Sequence, residues 1–301
     1  MPGPDELPDE RLDVRVVREY GLSRRRAQEA IASGQVDVAG LRTRDAALRV
    51  PRGETVLYDA NRRRQGGLRL SLPAIFQDET LVVVDKPPGL LSVPTDGAGS
   101  RDDSVLGRLR RDLERLRGPR AYVGALHRLD RGTSGLLAVA LSRECHAAGR
   151  AAFRDHAYVR LYRAIVEGVP RKPAGTIDLP IADEYESGKR HIAQDDEEPS
   201  RRAVTHYRTV ERFQKAALLE LELDTGRQHQ IRLHLRAIGH PIVGDGVYGR
   251  KEHTNGRPLL HASQLSFPHP LTHAPIACVS EPPRDFEDAL RRLRRARQGG
   301  R

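Results

Sequence analysis

Apolar and polar residues recur along this 301-residue chain with two different periods, and the change from one to the other divides it. Near the N-terminus Leu12, Val14, Val16 and Val17 sit among charges and the run stops at Gly21, the pattern of a short helix ended by glycine. Ser23 is placed to cap a second helix, RRRAQEAIAS, which gathers Ala27, Ala30 and Ile31 on one side and ends at Gly34. VDV and the stretch LRTRDAALRVPRGETVLYD then read as short strands joined by turns. Residues 11–59 therefore form a helix–helix–strand module with little core of its own. From Pro73 onward the runs LVVVD, GLLAVAL, LYRAIVEG and AALLELELD have strand character, interleaved irregularly with helical segments such as SVLGRLRRDLERLR. This order predicts an α+β domain over 73–290 whose mixed, largely antiparallel sheet is flanked by helices, and not a doubly wound fold.

The remaining segments are polar. Residues 1–10, MPGPDELPDE, are acidic and proline-rich, as a disordered leader is, with no apolar run that would make a signal peptide. Residues 60–72, ANRRRQGGLRLSL, predict a flexible basic linker, and 183–202 a mobile polar loop. Residues 291–301, RRLRRARQGGR, predict a basic tail that is disordered or touches RNA.

Charge narrows the class of partner. The net charge is +10, and 46 of the 51 basic residues are arginine, a group that grips phosphate with two donors and stacks on bases. Codon bias in a GC-rich genome is the competing explanation. Arg24, Arg25 and Arg26 stand in the first turn of the second helix, where cations oppose the macrodipole, so a bound phosphate would account for them. Two cysteines, far apart, argue against a disulfide scaffold or a cysteine zinc site and fit a reducing compartment. With no run of 18 apolar residues, no membrane span is expected, and the expectation is a soluble, cytoplasmic monomer.

The most informative stretch is GALHRLDRGTSGLLAVAL, residues 124–141. Gly132 and Gly135 bracket a turn and LLAVAL reads as a buried strand, so Asp130 is held on a tight loop at a strand's mouth. Arg128 and Arg131 beside it favour an ionised carboxylate, able to act as nucleophile or base, although an aspartate in such a turn is often only structural. Further on, a strand ends at Asp224, Thr225-Gly226 makes a turn, and a helix runs from about Gln228 to Ile238, closed by Gly239. Ile231, Leu235 and Ile238 share its buried face, and Arg232 beside them can reach inward or lie solvated. His229 and His234, five apart, do not align as metal ligands and read as structural or RNA-facing. Tyr162, in a strand-like run, reads first as a core residue.

Two resemblances reweight these residues. Residues 11–59 resemble the α-L RNA-binding module through RLD, LSRRRAQEAIASGQVDV and PRGETV, with VAG where that family has VNG. HRLDRGTSGLLAVAL resembles the HRLDxxTSG signature of the RluA-type pseudouridine synthases. The likeness extends through FQDETLVVVDKPPGLLSVP, VRLYRAIVEG, AVTHYRTVERF and LELDTGRQHQIRLHLRAIGHPIVGDGVYG, covering most of 73–290 in the family's order. It implies a pseudouridine synthase domain in which Asp130 is the catalytic aspartate, Arg232 its partner, and Tyr162 a ring that stacks on the target uracil and assists proton transfer. It also implies that Arg128 fills the gap left by the extruded base and that Ile231 contacts substrate. Arg160 replaces a usual lysine, Gln228 a Thr or Ser, and Arg201-Arg202 a Lys-Pro pair.

That reaction breaks an N-glycosidic bond and rejoins the base through carbon without redox change or group donor, so it implies no cofactor and no metal. The module's presence points toward ribosomal RNA of the large subunit, with transfer RNA as the other candidate. A non-catalytic RNA-binding protein would have lost one of Asp130, Tyr162 and Arg232, and all are present. A metal hydrolase lacks HExxH or comparable spacing despite 12 histidines.

Overall fold

The structure is a computed structural model. It describes all residues except 1–8, 44, 52, 61–69, 95–102, 155–157, 184–188, 195, 196, 198, 251–255 and 299–301. The expected leader thus falls outside it apart from Asp9 and Glu10, as does most of the expected linker. The chain divides into two compact units, Met1–Arg69 and Leu70–Arg301.

The first unit contains β1 (Glu10–Arg11), α1 (Leu12–Tyr20), α2 (Arg24–Ala32), β2 (Val36–Val38), β3 (Leu41–Arg42), β4 (Arg49–Val50) and β5 (Val56–Tyr58). Gly21 ends α1 in the left-handed conformation, and the Ser23 side chain caps α2 by accepting from the Arg26 amide. Leu12, Val16, Ala27, Ile31, Val36, Val50 and Val56 bury one small cluster.

The second unit runs β6 (Ala74–Gln77), β7 (Leu81–Lys86), α3 (Val105–Arg117), β8 (Gly124–Ala125), β9 (Ser134–Ala140), α4 (Arg143–Arg154) and β10 (Val159–Glu167). It continues with β11 (Ala174–Asp178), β12 (Ile181–Ala182), β13 (Ser200–Arg201), β14 (Val204–Arg212), β15 (Ala216–Leu223) and α5 (Gln230–Ala237). It ends with β16 (Leu260–Pro268), β17 (Pro275–Val279) and α6 (Arg284–Gln298). Its large sheet has the order β11-β14-β15-β10-β16-β9-β7-β6, with β17 on β16 and β8 on β9. Its pairings are antiparallel except between β16 and β9, a parallel seam registered at His261↔Ser134 and Ala262↔Gly135. The α+β expectation with a mixed sheet holds. All seven residues of β9 are buried, and burying a leucine such as Leu136 or Leu137 stabilises by about 1.5–3 kcal/mol.

The seam places the site. Ala262 pairs with Gly135 on one side and with Tyr162 on the other, so the loop entering β9 and the middle of β10 meet at one point. Gly135 has φ 108°, and a β-carbon there would come within 2.2 Å of the Ala262 carbonyl oxygen, so the seam requires glycine.

Two expected segments differ. The C-terminal end of 183–202 joins a ladder with the residues just before the segment, Arg201 pairing with Ile181 and Ser200 with Ala182, so that end is anchored. Residues 291–298 continue α6 instead of forming a tail. Phe286 and Leu290 are buried against Ile165, Phe213 and Leu218, with Ala289 and Leu293 beside them, and the arginines occupy the other face. Among the described residues no helix is long and apolar enough to cross a membrane.

Candidate active site

The loop carrying Asp130 is fixed on both flanks. The Ser92 hydroxyl donates to the Leu129 carbonyl at 2.7 Å and accepts the Leu129 amide at 2.9 Å. Lys86, fully buried at the end of β7, gives its ammonium to the carbonyls of Pro87, Leu90 and Arg131 at 3.1, 2.9 and 3.3 Å. Three donors meet three acceptors, which lets a charge stay in the interior. Burial pushes this ammonium down to about 8, against the pull of Asp130. The Thr133 amide then closes the turn onto the Asp130 carbonyl at 3.0 Å.

Asp130 is the outer member of a charge cluster. Its Oδ2 accepts from Arg232 Nη1 at 3.1 Å, while Oδ1 lies 3.9 Å from His229 Nε2. Arg232 donates through Nε and Nη2 to the two oxygens of Asp245 at 2.6 and 2.7 Å. Asp245 Oδ1 also accepts the amides of Val247 and Tyr248, and the Tyr248 ring lies 4.8 Å beneath the Arg232 guanidinium. Burial alone would raise the Asp245 carboxyl, but its hydrogen bonds and charge pairing with Arg232 and the two amides outweigh it and hold the group below its ordinary range.

The helix that carries Arg232, α5, starts later than its sequence pattern predicts. His229 takes a left-handed conformation, φ 60°, before Gln230 begins the helix. Gln230 then ties the start of α5 to β14, donating to the Val204 carbonyl and Thr205 hydroxyl.

A cavity of about 860 Å³ opens on these groups and is lined by Asp130, Tyr162, Arg232, Arg128, Ile231 and His229, among others. That volume is within the range of small-molecule sites and is large enough for a nucleotide. Tyr162 is 6% exposed and follows a register shift between Leu161 and Tyr162, a bulge that re-aims the side chain. Burial raises its phenol, with Arg160 opposing and Asp130 adding to the rise. Arg160 donates to the Leu223 carbonyl at 3.2 Å and stacks 5.5 Å from Phe153, so the residue standing in for lysine is a wall of the cavity. Arg128 is exposed at the cavity and Ile231 buried in its wall.

The structure thus brings Asp130, Tyr162, Arg232, Arg128 and Ile231 to one cavity. Arg24, Arg25 and Arg26 stand exposed on α2 in the other unit, Arg24 within 3.6 Å of Asp13 and Arg25 paired with Glu29 at 2.9 Å. These acids account in part for cations at that helix start. Sequence reasoning missed Asp245, His229 and Lys86. The Gly-Asp-Gly turn before Tyr248 was the available signal for Asp245, and His229 was read as structural or RNA-facing.

Residues 80–237, more than half of the chain, match the sequence pattern of the RNA pseudouridylate synthase family. The chain belongs to this family. Among similar proteins, the ribosomal large subunit pseudouridine synthase D of Zymomonas mobilis is 35% identical over 88% of this chain and 88% of its own length. The protein of that name from Pseudomonas aeruginosa is 35% identical over 98% of this chain and 95% of its own. The solved structure of human RNA pseudouridylate synthase domain containing 4 superposes with a TM-score of 0.61 at 28% identity, covering 74% of this chain and 93% of that one. The matched segment contains the loop of Asp130, together with Tyr162 and Arg232, and stops short of Asp245.

Proposed function

We propose that this enzyme isomerises uridine to pseudouridine in large-subunit ribosomal RNA, with Asp130 as the attacking carboxylate. The observation that carries this reading is the fixed pairing of Asp130 with Arg232 at the floor of a nucleotide-sized cavity whose wall is Tyr162. Arg232 occupies Oδ2, leaving Oδ1 to face the ribose and base. A uridine inside a folded RNA reaches such a carboxylate only when extruded, and an aromatic ring supports the flipped base by stacking. Tyr162 has that role, Ile231 supplies an apolar contact, and Arg128, exposed at the cavity, fills the space the base vacates.

Residues 11–59 act as an α-L RNA-binding module, with Arg24, Arg25 and Arg26 directed at phosphates. The names of the relatives support ribosomal RNA over transfer RNA. Both cysteines are free and buried, which suits a reducing compartment, and we place the enzyme in the cytoplasm as a monomer.

Incubating the purified chain with large-subunit ribosomal RNA and with transfer RNA, followed by carbodiimide mapping of pseudouridine, tests this. Product in ribosomal RNA and none with Asp130→Asn is expected, since the amide keeps the shape and removes the charge. Substantial product from Asp130→Asn would remove that carboxylate from the chemistry.

A further inference from the structure

The cavity at Asp130 extends beyond the groups that handle the uridine. At about 860 Å³ it lies near the top of the roughly 300–1,000 Å³ range of small-molecule sites. Its lining also includes Tyr122, His146, Arg150 and Phe153, to which the isomerisation gives no task. Strand register says where they lie. β8 pairs with the far end of β9, Gly124 opposite Ala140, while the Asp130 loop enters β9 at Ser134. At about 3.3 Å per residue the length of β9 puts those ends about 20 Å apart, so the cavity is a trough that runs along the strand.

α4 supplies the other bank. Arg143, His146, Arg150 and Phe153 stand at i, i+3, i+7 and i+10, on one face of the helix. That face follows residues 122–127 toward the Asp130 loop. The Arg143 guanidinium lies 4.9 Å from the centre of the Tyr122 ring, His146 Nε2–H donates to the Ala125 carbonyl at 3.1 Å, and the Phe153 ring lies 5.2 Å from that of His127. Glycines permit the approach, since a β-carbon at Gly124 would come within 2.8 Å of the His146 ring and one at Gly149 within 2.6 Å of the Leu126 side chain. Tyr122 is held in two ways: its hydroxyl donates to His146 Nδ1 at 2.6 Å, and Arg143, outside the cavity lining, lies over its ring. A half-buried ring fixed like this gives up little freedom when a base stacks on it. Arg150, exposed two turns further along α4, adds a cation to the same bank.

Resting on the pseudouridine reading, we propose that this trough holds a nucleotide flanking the target uridine, its base stacked on Tyr122 and its phosphate paired with Arg150. A flipped uridine enters with the strand it belongs to, and the bases of an RNA loop are free to splay onto aromatic rings. An aromatic platform among arginines is the composition of a single-strand track. Stacking accepts the face of any base, so the subsite selects uridines with an unpaired neighbour over those inside a helix, and does so without reading that neighbour's edge.

The test uses the full chain and a synthetic fragment of large-subunit ribosomal RNA spanning the uridine that the wild type modifies, with an abasic site placed at each flanking position in turn. Wild-type kcat/KM should fall by about tenfold at one of those positions. Tyr122→Leu, which keeps apolar bulk without a flat ring, should lose about tenfold on intact RNA and nothing further when that position is abasic. Tyr122→Phe keeps the ring and should stay within about threefold of wild type. Arg150→Ala should make the dependence of log affinity on log salt shallower by about 0.7–0.9. A variant that was merely destabilised would slow on every RNA alike and keep the abasic penalty. Abasic penalties equal in wild type and Tyr122→Leu at every position, or Tyr122→Phe as slow as Tyr122→Leu, would overturn the subsite. A wild-type enzyme that makes no pseudouridine would instead sink the functional reading itself.

Discussion

Asp245 holds Arg232 by two hydrogen bonds of 2.6 and 2.7 Å, and what Asp130 receives is the remaining edge of the guanidinium at 3.1 Å. The arginine is therefore oriented from behind, by a carboxylate that is only 1% exposed, before any substrate arrives. The direction in which Asp130 presents its free oxygen is set by a residue outside the cavity lining.

Removing that support should be costly. Asp245→Ala leaves a buried guanidinium with half its partners, and breaking a buried pair costs about 3–5 kcal/mol. Denaturant unfolding should show that loss, and kcat should fall further in any fraction that stays folded. An unchanged midpoint would mean that Arg232 finds another partner.

Acid should weaken the same pair in a defined window. The Asp245 carboxyl is depressed in the folded chain, so its contribution is present above the ordinary carboxylate value near 4 and lost as pH falls through its lower native value. Stability measured from pH 6 downward should fall more steeply in the wild type than in Asp245→Asn. Parallel curves would show that the carboxyl titrates alike in both states.

Arg232→Lys keeps the charge and loses the fork. A single ammonium cannot serve both oxygens of Asp245 and Oδ2 of Asp130 in one geometry, so kcat should drop by at least about tenfold, one lost charged hydrogen bond being worth about 1.5–3 kcal/mol. Single-turnover rates on saturating RNA measure it. Wild-type rates would mean that charge alone suffices.

Gly135→Ala tests the seam. Its β-carbon would strike the Ala262 carbonyl at 2.2 Å from a backbone with φ 108°, so the strands must part. We expect a stability loss of more than about 1–3 kcal/mol and a rate loss, because the same seam sets Tyr162 against the Asp130 loop. A melting temperature equal to wild type would contradict the register.

Replacing Arg24, Arg25 and Arg26 by alanine should make the dependence of log affinity on log salt shallower by roughly two to three units, with rates on saturating RNA unchanged. Because Arg24 and Arg25 already face Asp13 and Glu29, a change confined to about one unit would assign phosphate contact to Arg26 alone.

Where a residue's role is written in its neighbours along the chain, it was legible. The Ser23 cap, the buried run of β9 and the glycines around Asp130 follow from propensity and turn chemistry. Period alone put Arg232 beside the buried face of a helix, where it could reach inward or lie solvated, and the family resemblance was needed to choose. Asp245 could not be assigned that way, since its partner is 13 residues away across a turn whose path only the fold decides. His229 lay inside the expected start of α5, and nothing local announces a left-handed histidine. The last turns of α6 were hidden by charge: arginines on one face masked Phe286, Ala289, Leu290 and Leu293 on the other.

The parallel seam also bears on how the enzyme comes into being. Ser134 and His261, joined at 3.0 Å, are separated by 127 residues, while the outlying pairs β6–β7 and β14–β15 close through much shorter connections. Contacts that close long loops form late, because their entropy must be met before the contact rewards it. The two walls of the active cavity belong to the two sides of this seam, so refolding should restore strand signal in a fast phase and turnover only in the slowest one, leaving incomplete chains without activity.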